Sequence, residues 1–306
     1  MKGIELSESF YKEYGEKMIN EGFSDVAFEL AIGLAGSGSE CFGWDDEISQ
    51  DHDFEPGFCI FITDSIDRKT AFALERAYAK LPREFMGFKR SPLSPVGGNR
   101  HGVLNIGDFL TDKTGTPDGN LSLLDWMNVP EQSVAEAVNG KIFRDDSGVF
   151  TSIREALSYM PEDVRLKKLA GELLMMGQTG QYNFPRCLAR GENAAAQLTL
   201  NEFAKHTIHA IFLLNKHYLP YYKWCFRALK ALPKLSHLYA PLEKLLLCQI
   251  TDAQTTVENI CLEIINELKE QSLTTYRGNE AEGHAYSVND SITNEEIRNM
   301  HILSGV

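Results

Sequence analysis

The spacing of the apolar residues changes partway along the chain, and that change limits the possible folds more than any other feature. Up to about residue 150, short apolar and aromatic runs alternate with glycine- and proline-rich breaks: VAFELAIGLAG (26–36), GFCIFIT (57–63), GVLNIGDFL (102–110) and KIFRDDSGVF (141–150). Continuous apolar runs of this length, bounded by turn residues, predict short buried strands. Helical spacing appears between them, over 5–21 and 65–81 and on either side of Pro130, with Ser65 placed to cap the second helix. The stretch 82–101 carries Pro82, Pro92, Pro95, Gly97 and Gly98 and predicts a loop. Beyond 151 glycines thin out and long segments of helical period follow one another, the pattern of a helix bundle. The expected architecture is α+β: a small mixed-sheet domain over 1–150, then an all-helical bundle domain over 151–306.

With 306 residues, 43% of them hydrophobic, the chain can bury two modest cores. A formal charge of −13 argues against a general nucleic-acid surface, which needs Lys and Arg to neutralise phosphates. A polynucleotide partner is therefore disfavoured, although net charge does not say where charges sit. No run approaches the roughly 20 apolar residues that cross a bilayer. The start, MKGIELSESFYKEYGEKM, lacks the apolar core of a signal peptide, so a cytoplasmic protein without membrane contact is expected. The six cysteines form no CxxC pair and are expected as free thiols, with no zinc site.

The most informative stretch is GLAGSGSECFGWDDEISQDHDFEPGFCIFITD, Gly33 to Asp64. A Gly38-Ser39 turn after a strand permits close backbone approach and offers amide and hydroxyl donors to a phosphate. Asp51 and Asp53, one residue apart, project to the same side of an extended chain and repel each other. A hard divalent cation such as Mg²⁺ relieves that repulsion and commonly shares its remaining sites with phosphate oxygens. These are the components of metal-assisted phosphoryl or nucleotidyl transfer. The flanking Asp45, Asp46 and Glu47 are expected in a solvated acidic loop, His52 in a structural role, and Asp145 and Asp146 in a turn between strand and helix.

The order Gly38, Ser39, spacer, Asp51-x-Asp53, Phe54 resembles the signature of the DNA polymerase β-like nucleotidyltransferase superfamily. The blocks GSECFGWDDEISQDHDF, VNGKIFRDDSGVF, GQYNFPRCLARGE and LLNKHYLPYYKW look like those of a bacterial family that joins such a domain to C-terminal helices. The two-domain plan is also similar to the aminoglycoside-type nucleotidyltransferases. This resemblance implies transfer of a nucleoside monophosphate from an NTP, ATP among them, to a hydroxyl of a small molecule or protein, with pyrophosphate leaving. It implies that Gly38 and Ser39 hold the triphosphate, and that Asp51 and Asp53 hold Mg²⁺. A third carboxylate on a later strand would help activate the acceptor; GVLNIGDFL offers Asp108, with Asn105 at the in-strand position. In the helical half Arg186, Arg190, Lys216 and Lys223 are the cations that would reach phosphates, beside the aromatic cluster around Pro220. The competing expectation is an inactive nucleotide-binding or interaction protein that retains the fold.

Overall fold

The computed structural model describes residues 1–48, 54–90, 100–247 and 253–306. The chain separates into two compact units: Met1–Leu121 with Ser133–Ser158, and Ser122–Gln132 with Tyr159–Val306. Residue 150, expected as the boundary, falls inside a helix of the first unit.

The first unit opens with α1 (Gly3–Phe10), which passes through a π-turn into α2 (Glu16–Gly22). Its sheet contains β1 (Ala31–Leu34), β2 (Cys59–Ile62), β5 (Gly102–Asn105) and β6 (Lys141–Asp145) in the order β5-β2-β1-β6. Between them lie α3 (Arg68–Ala79), a two-residue hairpin β3 (Glu84–Phe85) and β4 (Phe88–Lys89), and α4 (Ile106–Thr114). The hairpin stands where the sequence predicts only loop. β1 runs antiparallel to both β2 and β6, whereas β2 and β5 are parallel, so the sheet is mixed.

All four residues of β1 and of β2 are buried because both sheet faces are covered. That is why these strands read as unbroken apolar runs. Phe58, Ile60 and Ile32 pack with Phe10, Tyr11 and Ile19 of the first two helices and with Leu74 and Tyr78 of α3. From the other face Phe61 meets Phe109 of α4 and Phe150, at ring separations of 5.3 and 4.3 Å. At Gly33 the register between β1 and β6 shifts, and a Cβ there would press on the backbone of Lys141 and Ile142. After β6, Asp145 accepts hydrogen bonds from Gly148 N (3.0 Å) and Thr151 N (2.8 Å) and so opens α7 (Val149–Ala156).

Two local expectations are corrected. The cap of α3 is Asp67, not Ser65: Asp67 accepts from Lys69 N and Thr70 N, while Ser65 donates to Glu29. Asp45 is buried rather than solvated. It accepts from Gly3 N at 2.8 Å, satisfying one of the free amides that begin α1, and Lys2 lies 3.5 Å away.

The second unit takes in α5 (Leu123–Asn128), and α6 (Glu131–Val138) crosses the boundary between the units. Its centre is α8 (Glu162–Met176), extended by a π-turn into α9 (Phe184–Ala189), and the long α10 (Asn193–Leu214). Around these pack α11 (Tyr222–Leu229), α12 (Tyr239–Leu247), α13 (Ala253–Glu270), α14 (Ala281–Asp290) and α15 (Glu295–Asn299). Among the described residues no helix is long and apolar enough to cross a membrane.

Candidate functional site

The antiparallel register brings the C-terminal end of β1 beside the N-terminal ends of β2 and β5. At that end the chain leaving β1 makes the turn Gly36-Ser37-Gly38-Ser39, with φ of +116° at Gly36 and +130° at Gly38. L side chains rarely adopt such angles, which is the conformational reason for glycine here. Space gives a second reason: a Cβ on Gly38 would collide with the Arg100 guanidinium and the Glu40 carboxylate.

The turn is fastened from three sides. Arg100, just before β5, donates Nη2 to the Ser37 carbonyl and to Glu40 Oε1 (2.7 Å). Asn139 bonds both the amide and the carbonyl of Gly36, at 2.9 and 2.8 Å. Ser37 Oγ donates to Glu136 (2.7 Å) and accepts from Lys113 Nζ (3.2 Å), and those two groups pair at 2.7 Å. Burial alone would lower the Lys113 ammonium, but the bonds to Glu136 and Asp112 outweigh it and raise its pKa. The carbonyl of Ser39 accepts from Trp44 N at 2.9 Å. Nearby, His101 Nδ1 stands 3.2 Å from Glu55, under Gly57.

Asp51 and Asp53 lie outside the described residues, as does His52. Asp108 is not at the turn. It follows the C-terminal end of β5, at the opposite end of the sheet, in the first turn of α4. Asn105 caps that helix, accepting from Asp108 N at 3.1 Å and donating to Asp64 at 2.8 Å. The strand stops at Asn105, so the chain has already turned into helix when it reaches Asp108. Among the described residues, Glu40 and Glu136 are bonded at the turn, each facing a cation. Among the described residues no cluster of His, Cys, Asp or Glu could hold a metal ion.

The four expected cations belong to the helical unit. Arg186 lies over the Tyr182 ring at 4.7 Å, and Arg190 follows the end of α9, exposed. Lys216 pairs with Glu162 at 3.2 Å, and Lys223 lies over the Trp224 ring at 5.0 Å. Pro220 falls in the break between α10 and α11. Cys41, Cys59, Cys187, Cys225 and Cys261 are free thiols, and burial pushes Cys59 up to about 12.

A cavity of about 560 Å³ runs along β6 and α7. Three of the charged groups lining it are engaged: Arg144 with Asp146, Asp145 with the start of α7, and Arg154 with carbonyls ending α6.

The helical unit contains a buried ionic cluster that sequence reasoning missed. His209 Nε2 meets Glu131 Oε1 at 2.9 Å and its Nδ1 meets Glu172 Oε1 at 2.7 Å. His206 reaches the other Glu172 oxygen at 2.6 Å; Lys168 Nζ (3.3 Å) and Leu219 N (3.1 Å) complete the shell of Glu131. Burial alone would lower His209, but its bonds to Glu131 and Glu172 outweigh burial and raise it to about 10. Burial likewise pushes Glu131 upward, and the His209 bond with the charges of His209 and Lys168 overcomes it, holding the carboxyl at about 2. An imidazole flanked by two carboxylates must donate from both nitrogens, so His209 is a cation here. The cluster ties the short Ser122–Gln132 segment to α8 and α10. The signal in the sequence is that Glu172 and His209 stand at helical spacing among apolar residues that are buried, Leu169, Leu173, Ile208 and Ile211.

Residues 126–225 match the model of a domain of unknown function, DUF4037. No curated protein matches. A crystal structure of a nucleotidyltransferase-like protein from Exiguobacterium sibiricum 255-15 is similar at 11% identity, covering 92% of this chain and 81% of that one, with a TM-score of 0.38.

Proposed function

We propose that the Gly36–Ser39 turn is the triphosphate-binding element of an NTP-dependent nucleotidyltransferase. The observation that carries this reading is the turn itself: two glycines at positive φ at the end of β1, an arginine at the backbone, and Asp51-x-Asp53 downstream in sequence. Arg100 is suited to phosphate because its planar fork offers several donors at once. On NTP binding it exchanges Ser37 O and Glu40 for phosphate oxygens, while Asn139 and Lys113 keep the turn in shape. Asp51 and Asp53 would hold Mg²⁺, which would supply neutralising charge to the triphosphate. Glu136, at the turn, takes the role expected of Asp108 and accepts the proton of the acceptor hydroxyl.

The test is thermal unfolding with each NTP, with and without Mg²⁺, on wild type and the Asp51→Asn/Asp53→Asn variant. A ligand at 100 times its Kd stabilises by about 2.7 kcal/mol. A Mg²⁺-dependent shift in wild type, absent from the variant, is expected; no shift with any NTP would overturn the reading. The same titration on Lys216→Ala and Lys223→Ala tests the helical unit's cations, and unchanged affinity confines them to other roles. A second reading, nucleotide binding without transfer, is favoured by the position of Asp108 away from the turn. Pyrophosphate release that falls in Glu136→Gln while NTP affinity holds would decide for transfer.

A further inference from the structure

The acidic excess of this chain is not spread evenly. Residues 203–242 contain no Asp or Glu, and they carry Lys205, Lys216, Lys223, Arg227, Lys230 and Lys234 within a protein of net charge −13. Three of these cations follow a helical stripe: Lys223, Arg227 and Lys230 are spaced i, i+4, i+7 along α11 and its C-cap, and all three are exposed. Residues at that spacing share one face. Over the roughly 1.5 Å rise per residue of a helix, the stripe extends about 10 Å.

Aromatic rings are interleaved with the cations. Trp224 lies under both Lys223 (5.0 Å) and Arg227 (4.7 Å), and Lys230 sits over Tyr239 at 3.8 Å. At the start of the helix Tyr221 and Tyr222 adjoin at 4.2 Å between centroids, and they are 47% and 75% exposed. Two adjacent tyrosines in solvent contribute little to a core. The apolar side of α11 is used internally: Leu229 is fully buried and Phe226 packs against Tyr239. The helix therefore has no spare apolar face to sink into a bilayer, as an interfacial helix requires.

We infer that this face of α11 binds single-stranded nucleic acid, with phosphates on Lys223, Arg227 and Lys230 and a base stacked on the Tyr221–Tyr222 pair. A cationic track beside exposed aromatic faces is the combination that holds single strands without sequence preference. Net charge does not decide this, because it does not say where charges sit; Lys205, Lys216 and Lys234 pair with Glu202, Glu162 and Glu267, and the phosphate contacts are assigned to α11 alone. The inference concerns the helical unit and stands independently of the nucleotide reading for the sheet unit.

The test is fluorescence anisotropy of the full chain with labelled 12-nucleotide oligo(rU) and oligo(dT), a DNA duplex of equal length, and phosphatidylserine vesicles as competitor. Three phosphate contacts give a log–log salt slope of about −2, so affinity should fall about twentyfold between 50 and 200 mM salt. Lys223→Glu/Lys230→Glu should abolish binding, and Tyr221→Ala/Tyr222→Ala should weaken it about tenfold. Tighter binding of oligo(rU) identifies RNA as the ligand, and tighter binding of oligo(dT) identifies DNA. These side chains are exposed, so unfolding temperatures should be unchanged; should the charge reversal unfold the protein, Lys223→Gln/Lys230→Gln replaces it. No binding at 50 mM salt, or binding untouched by the lysine substitutions, overturns the inference. So does retention of full affinity without the tyrosines, equal affinity for duplex, or displacement by the vesicles.

Discussion

The turn in the sheet unit and the ionic cluster in the helical unit use the same residue types in opposite ways. Around the turn, Arg100 and Glu40 pair with side chains 33% and 12% exposed. In the cluster, Glu131 and Glu172 are 8% and 3% exposed and His209 is 15%. Contacts open to water can be traded for those of a ligand at small cost. Buried ones cannot, because a charge that loses its partner away from water keeps the full desolvation penalty. The comparison separates a site from a fastening: partly exposed charges on a glycine turn suit binding, and closely matched buried carboxylates hold helices.

The largest effect should come from breaking the fastening. Glu172→Ala leaves His209 and His206 facing an unfilled, partly apolar space and should cost about 3–5 kcal/mol in urea unfolding. Equal stability in the variant would put the cluster on a par with an exposed pair. Acidity provides a second way to break it, and the signs follow from the two shifts. Glu131 is depressed from 4.5 to about 2, so its contribution is complete above pH 4.5 and is lost as pH falls towards 2. His209 is raised from 6.5 to about 10, so its contribution is complete below pH 6.5 and is lost as pH rises through 10. Thermal unfolding across pH 2–11 should therefore lose stability at both extremes, and the high-pH loss should vanish in His209→Gln relative to its own neutral-pH value.

Smaller effects should come from the sheet unit. Gly38→Ala must adopt φ near +130° and displace Arg100, and should destabilise by about 1–3 kcal/mol while weakening any NTP-induced shift. Adding Arg100→Ala should relieve the collision but not the backbone strain. Asn105→Ala removes the cap of α4 and should cost about 1 kcal/mol. Asp108→Asn should be smallest, within about 0.5 kcal/mol, because it alters only the charge near one helix N-terminus. Pyrophosphate release unchanged in Asp108→Asn but lowered in Glu136→Gln would sharpen the assignment of the turn's carboxylates.

How much was legible follows the range of the interactions. The apolar runs at 57–63 and 102–110 announced β2 and β5; β2 is buried on both faces and needs no polar alternation, whereas β5 lies at the sheet edge with only Gly102 buried. The run at 102–110 also concealed a change, since its second half is α4, and short apolar runs do not distinguish strand from helix. Gly38-Ser39 was readable because a positive φ is a local demand. Arg100 was not, since it reaches the turn across a long sequence separation.

The sequence by itself determined the α+β division, the placement of the main strands and the glycine turn, because periodicity, propensity and backbone sterics act within a few residues. Tertiary structure alone decided which charges meet. It buried Asp45 against the start of α1, and it set Asp108 at the far end of the sheet from Ser39. It also drew Glu131 to His209 and gathered Ser122–Gln132 into the helical unit. Those outcomes depend on strand direction and on side chains brought together from distant segments, which no local pattern encodes.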